Sequence, residues 1–451
     1  MVSASESAQA LAFVLLVLFL GYVVLILVPF LKRKPNASGD PAAFQFHVLI
    51  AARDEEAVIG ATIARLRASF AQLHIWVIDD DSDDKTGSIV AALQQRDEHL
   101  HLVSRRRPNA RIGKGEALNA AYRAMREWIP AEVDPSSVIV LVIDADGTLA
   151  PNALEQAAGP TAFADPTTGA AQVAVWMSNR DDPNPRSEGG RAANALGRYL
   201  VRMQDIEFRT TIAAMQSLRG HTASVGLGGN GQFVRFSVLN EIAERTGSPW
   251  HGSLLEDYEL GVHVMLAGHR TVYLHDTHVE QEAVPVWRRL LIQRVRWCQG
   301  GMQCTQYLGD IFRSRNFSNA GALEATYFLL MPFVQLLGVV LWPTVFITMV
   351  SQGAARSGSL LAWAAESWWL LPLIALTGIV PFVLWPVIYR RQCAPEASVW
   401  KTLGWSLGYW VYMYQTYICV VRALWRLITG KNGWAKTRRN AERSHLATVE
   451  A

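Results

Sequence analysis

Two carboxylates one residue apart, Asp144 and Asp146, end an apolar, β-branched run that begins at Val138 and is closed by Gly147. Side chains at i and i+2 of an extended chain point the same way, so both can address one hard cation. Mg²⁺ and Mn²⁺ take oxygen ligands of this kind and usually share them with substrate phosphates. A plain turn capping the next helix would use the same two residues, so the pair needs support from elsewhere in the chain. Further acids stand at comparable places: Asp79-Asp80 after an apolar run, and Glu256-Asp257 where a helical stretch opens. Helix capping and a negatively charged first turn are the plain alternatives for these pairs. Lys114 offers a point charge to a phosphate, Arg296 a planar fork of donors, and Trp297 a stacking face. An amphipathic helix at a membrane surface would also account for Arg296 and Trp297 taken singly.

The elements around these residues are predicted to be α/β. The run before Asp144 is too short to cross a membrane and reads as a strand buried on both faces, in the middle of a parallel sheet. Ligands of such sheets sit beyond the carboxyl ends of the strands. Strands are predicted at 44–52, 74–78, 99–104 and 171–177, and helices at 55–73, 86–95, 115–128, 152–158 and 192–216. That alternation predicts a parallel, doubly wound sheet with right-handed crossovers. Residues 178–191, rich in Asp, Pro, Asn and Gly, read as a loop. The stretch 225–233 is glycine-dense but lacks the Lys-Ser/Thr ending of a P-loop, so its glycines serve close backbone approach to a bulky ligand.

Half of the 451 residues are hydrophobic, and they concentrate near the N-terminus and in the last third. A formal net charge of +3 argues against a nucleic-acid partner. The four cysteines have neither disulfide nor zinc spacing and read as buried thiols. Residues 8–31 form an apolar run long enough to span a bilayer. Glu6 precedes it and Lys32, Arg33 and Lys34 follow, which predicts an anchor with its N-terminus outside and the next segment cytoplasmic. A soluble domain is then expected over 44–284, interfacial amphipathic helices over 285–318, a transmembrane region over 323–428, and a basic cytoplasmic tail over 429–451. Segments 323–350, 370–388 and 403–428 are each apolar enough to span. The basic tail (Lys431, Lys436, Arg438, Arg439, Arg443) requires an even number of crossings among them. Either one segment lies in the interface, or 323–350 is two short spans broken at Pro332 and Pro343.

Taken in order, Ala52-Arg-Asp-Glu55, Asp79-Asp80, Gly113-Lys114-Gly-Glu-Ala-Leu-Asn119, Asp144-Ala-Asp146, Glu256-Asp257 and Gln293-Arg-Val-Arg296-Trp297 resemble the membrane-integrated family-2 inverting glycosyltransferases. These carry a Rossmann-like GT-A nucleotide-sugar domain. Cellulose, chitin, hyaluronan and poly-N-acetylglucosamine synthases belong here, as does ceramide glucosyltransferase. The resemblance is detailed from Phe44 to Trp297 and only architectural beyond.

It implies a UDP-sugar donor, with Ala51, Glu55, Asp79, Asp80, Lys114, Asp144 and Arg296 around the nucleotide sugar. Asp79 and Asp80 would accept from the uracil N3–H, although Asp81 stands where the family usually has Gly. Asp144 and Asp146 would hold Mg²⁺ or Mn²⁺. Asp257, beside Glu256, would be the general base of a single inverting displacement. Gln293, Trp297, Gly229, Asn230 and Gln232 would meet the acceptor. The expected product is a β-linked polysaccharide, extended and translocated by a multi-pass plasma-membrane enzyme, a reading favoured by Trp434-Ala-Lys-Thr437 in the tail. The alternative is single-step glycosylation of a membrane lipid. Glu259 is expected only to charge the first helical turn, Arg288, Arg289 and Arg294 to face lipid, and the histidines, including His221 and His251, to have no ligand role.

Overall fold

The structure, a computed structural model, describes residues 4–186, 189–431 and 433. Eight strands make one sheet: β1 (Gln45–Ala52), β2 (His74–Asp80), β3 (Leu100–Arg105), β4 (Val138–Asp144), β5 (Thr148–Leu149), β6 (Thr168–Met177), β7 (Gln232–Arg235) and β8 (Arg270–Gln281). Their order is β3-β2-β1-β4-β7-β6-β8-β5. Four consecutive strands, β3 to β4, pair in parallel as expected. The other half corrects the all-parallel expectation, because β7 runs antiparallel to both β4 and β6. No crossover helix delivers β7. The chain enters it from a glycine-rich loop, at Gly231 with φ +77°, where a Cβ would lie 2.6 Å from Val173 Cγ2. Only glycine fits that turn.

Alternation along the strands loads both faces of the sheet. Val48, Ile50, Ile139 and Leu141 pack on the side of the helix Ile59–Ser69. Leu49, Val140 and Val142 pack beneath the helix Lys114–Trp128. Strand β4 is fully buried up to Asp144, which accounts for its uninterrupted β-branched sequence.

The helix predicted over 192–216 runs longer, as Arg191–Ile206 and Ala213–Thr222 joined by a π-helical turn at Glu207–Ile212. The basic segment folds as the helix Trp287–Cys304 and a short helix Leu308–Arg313. Among the described residues, two helices, Ala4–Leu31 and Asn319–Ser357, are long and apolar enough to cross a membrane. The second continues through both Pro332 and Pro343, so the break entertained there is absent. The 370–388 segment divides instead: Leu360–Glu366 and Leu370–Gly378 form a pair bent by 78°, followed by Val380–Cys393. The 403–428 segment is likewise two helices, Val399–Met413 and Gln415–Ile428. Trp434-Ala-Lys-Thr437 and the basic residues from 436 onward lie outside the described residues.

Candidate active site

A cavity of about 540 Å³ opens where β1, β2 and β4 end, and it runs on between the helices that follow the sheet. Asp144 and Asp146 line it from the end of β4. The Asp144 Oδ1 accepts from Lys114 Nζ at 2.7 Å, and the same ammonium donates to the Gly229 carbonyl at 2.7 Å. Burial alone would lower the Lys114 pKa, but the carboxylates of Asp144 and Glu256 more than offset it and hold the ammonium above its ordinary range. The glycine loop is fixed by side chains of the sheet. Gln172 donates to the Asn230 carbonyl at 2.9 Å and accepts from the Gly228 N–H at 2.8 Å, while Asn230 Oδ1 takes the Asp144 N–H at 3.2 Å. At Gly229 a Cβ would come within 3.1 Å of Asp257 Oδ2 and 3.3 Å of Lys114 Nζ, so glycine leaves room for both side chains beside the backbone.

Glu256 and Asp257 form the first turn of the helix Glu256–Leu266 and face the cavity. Asp257 is 8% exposed and its Oδ1 accepts the Tyr258 N–H at 2.7 Å. Burial first, then the charge of Glu256, push its pKa up to about 7, against that N–H and the cations of Lys114 and Arg296. Such a carboxyl is matched to proton abstraction near neutrality. Below that pKa it is protonated and cannot accept a proton. Turnover should therefore fall about tenfold per pH unit below roughly 7 and level off above it. Removing the neighbouring charge in Glu256→Gln should move the acidic limb to lower pH. A pH–rate profile of both proteins tests this, and an unshifted limb would detach it from Asp257.

The nucleotide-side residues separate. Ala51, Glu55 and Asp80 line the cavity and Asp79 does not. Neighbours on a strand point to opposite faces, and both acids belong to β2, so the two carboxylates meet different surroundings. Asp79 accepts from Ser82 N at 3.0 Å and from Arg106 Nη1 at 3.1 Å. Asp80 pairs with Arg105 and takes the Arg111 N–H at 3.1 Å.

Gln293, Arg296 and Trp297 all reach the cavity, one helical face at i, i+3 and i+4. Gln232 does not; it is fully buried in β7, whereas Gly229 and Asn230 line the cavity together with Gly226, Leu227 and Gly228. Arg294 corrects the lipid-facing expectation. It pairs with Glu207 through two hydrogen bonds of 3.1 and 2.6 Å, and its guanidinium lies 4.6 Å from the Trp297 ring centroid. Arg288 is exposed. Phe208, in the π-turn beside Glu207, meets Trp297 edge-on with centroids 6.2 Å apart. Beyond Trp297 the lining mixes apolar side chains (Ile212, Met215, Phe328, Met331, Pro332, Val420) with polar ones (Gln216, Gln335, Gln415, Thr416). Glu207 and Phe208 were not singled out in the sequence, where they look like any positions of an amphipathic helix.

The donor set at Asp144 and Asp146 fits a hard divalent cation. Asp144 ends β4 and Asp146 stands in the turn that follows, and both face a cavity open to further oxygen ligands such as phosphate or water.

Residues 41–300 match the family described as glycosyltransferase like family 2. Beta-monoglucosyldiacylglycerol synthase of Synechocystis sp. (strain ATCC 27184 / PCC 6803 / Kazusa) is 30% identical over 62% of this chain and 54% of its own length. The enzyme of the same name from Trichormus variabilis (strain ATCC 29413 / PCC 7937) is 28% identical over 64% and 55%. The chain thus spans about half the length of the curated relatives it matches. Among solved structures, a mannosyltransferase of Pyrobaculum calidifontis, in complex with GDP-Man and Mn²⁺, aligns with a TM-score of 0.53 over 94% of this chain and 97% of its own, at 19% identity. That likeness is one of fold.

Proposed function

The chain belongs to glycosyltransferase family 2, with a GT-A fold, and from this we propose that it glycosylates a membrane lipid in one step. The donor is a UDP-sugar, the acceptor a lipid hydroxyl, and the new bond is β-linked. The observation that carries this reading is the continuity of the cavity, from Asp144 and Asp257 to the apolar side chains of helices 319–357 and 415–428. Ile212, Met215, Phe328 and Met331 offer apolar surface to acyl chains, and Gln216, Gln335, Gln415 and Thr416 among them can meet the polar part of a lipid acceptor. The similarity to beta-monoglucosyldiacylglycerol synthases points the same way. Processive polysaccharide synthesis, the first expectation, has no comparable support.

In the proposed displacement Asp257 takes the proton from the acceptor hydroxyl as its oxygen attacks the anomeric carbon and the bond to the nucleoside diphosphate breaks. Lys114 and Arg296 bring positive charge to the departing phosphates. A divalent cation held by Asp144 and Asp146 would neutralise the same charge when bound. Trp297, fixed by Arg294 and Phe208, orients the acceptor headgroup.

We place helices 4–31 and 319–357 across the plasma membrane, side by side and antiparallel. Gln352 meets Ser5 at 3.3 Å near one end, and Tyr22 meets Glu324 at 3.3 Å near the other. The bent pair and the helix Val380–Cys393 return the chain, and 399–428 lies in the interface. Lys32 to Lys34 then sit on the side of the catalytic domain, which is cytoplasmic by the positive-inside rule.

The test uses the purified chain in mixed micelles with diacylglycerol, a panel of UDP-sugars and Mg²⁺ or Mn²⁺. One organic-soluble monoglycosyl lipid is expected, lost on chelation. A retained water-soluble polymer, or no lipid product from any donor, would overturn the reading.

A further inference from the structure

Behind the catalytic helix, three side chains from two stretches of sequence converge: His251, Glu259 and His263, with one ligand atom from each within 4.8 Å of the others. We propose that this cluster is a second metal site, distinct from Asp144 and Asp146, and that it binds Zn²⁺ or a similar borderline divalent ion through two imidazoles and one carboxylate.

Glu259 and His263 are four apart on the helix Glu256–Leu266 and share a face. Glu259 follows Asp257 by two positions, about 200° around the axis, and neither Glu259 nor His263 lines the catalytic cavity. His251 arrives from the preceding loop. Its Nδ1 lies 2.8 Å from His263 Nε2. Two nitrogens on one tetrahedral zinc stand roughly 3.3 Å apart, given bonds of about 2.05 Å, so an opening of half an ångström admits the ion. Three protein ligands of this type leave a fourth position for water.

The outer partners that such ligands need are already in place. His251 Nε2 is 3.0 Å from Thr246 Oγ1, which fixes the ring. The Glu259 carboxylate accepts from Tyr307 OH at 2.6 Å and from the Ser253 N–H at 3.0 Å. Both histidines are half-buried and Glu259 is buried, so an ion can enter from solvent and still meet a fixed carboxylate. The loop is pinned elsewhere too: the Trp250 carbonyl accepts from Asn119 Nδ2 at 2.8 Å, on the helix that begins with Lys114. A bound ion would therefore brace the Asp257 helix and the Lys114 helix against one another.

The experiment uses the full chain without a polyhistidine tag, in detergent, carrying Asp144→Asn and Asp146→Asn so that the catalytic cation does not contribute. After chelation and dialysis, Zn²⁺ is titrated against a chromogenic chelator. One Zn²⁺ per chain is expected. His263→Asn should weaken it by more than ~100-fold, beyond the 10–100-fold that loss of an outer partner costs. Equal Zn²⁺ binding by the His251→Asn/His263→Asn protein would overturn the site. Should those variants fail to fold, Co²⁺ added to the parent protein decides. Intense visible bands of a tetrahedral complex support the site, and their absence leaves only a hydrogen-bonded cluster and refutes it. Neither readout depends on the sugar or acceptor.

Discussion

Asp257→Asn is expected to lower the transfer rate by about 10²–10⁴-fold, the range that loss of a positioned general base costs, while donor affinity changes little. The asymmetry follows from the geometry. Asp257 faces the cavity between Lys114 and Arg296, and its carboxylate is poised by burial to take a proton near neutral pH. Asparagine keeps the shape and cannot accept that proton. Single-turnover transfer and equilibrium binding of UDP-sugar, measured on the same preparation, separate the two effects. A variant that turns over at the parental rate would remove Asp257 from the chemistry. One that loses donor binding in step with turnover would make it a nucleotide ligand instead.

The second large effect falls on stability. Arg294→Met should destabilise the fold by about 3–5 kcal/mol, the cost of leaving one partner of a buried ion pair uncompensated. Arg294 and Glu207 side chains are only 11% and 15% exposed, and Tyr412 OH adds a hydrogen bond of 2.8 Å to Glu207. Arg294→Met with Glu207→Gln should recover much of the loss, because no buried charge remains. Thermal unfolding in detergent of the single and double variants reads this directly. Equal midpoints for the parent and Arg294→Met would sink it. The single variant should also lose acceptor-side activity beyond its stability defect, since Arg294 is the cation packed on Trp297.

The sequence made β4 and its two aspartates legible because a β-branched run buried on both faces is a local signal. Asp257 and the Gln293–Trp297 face were legible for a similar reason, each being a few residues on one helical turn. Long-range partners were not. Glu207 and Arg294 are 87 residues apart, and nothing local joins them. Asp79 and Asp80 read as one motif, yet the pleat sends them to different surroundings. Segment 403–428 read as one continuous apolar helix, and the structure divides it after Met413. Leu403, Leu407 and Val411 point outward while Tyr409 and Tyr412 are buried, so the helices there are apolar outside and polar within. The histidines offered no spacing because the fold, not the chain, brings His251 to Glu259 and His263.

The π-turn at Glu207–Ile212 has a consequence for how this architecture can vary. A π-turn takes in one residue more than an α-turn and so delays everything after it by one position, roughly 100° of rotation. At the start of the π-turn Glu207 meets Arg294 of the helix Trp287–Cys304; downstream Arg219 meets Glu324 of the helix Asn319–Ser357 at 2.8 Å. Straightened into plain α-helix, the element could keep one of these partners in phase but not both. The helices Trp287–Cys304 and Asn319–Ser357 are thus held in angular synchrony by a single surplus residue. Between 207 and 219, loss or gain of one residue would disturb the docking of the catalytic domain more than most exchanges of one side chain for another.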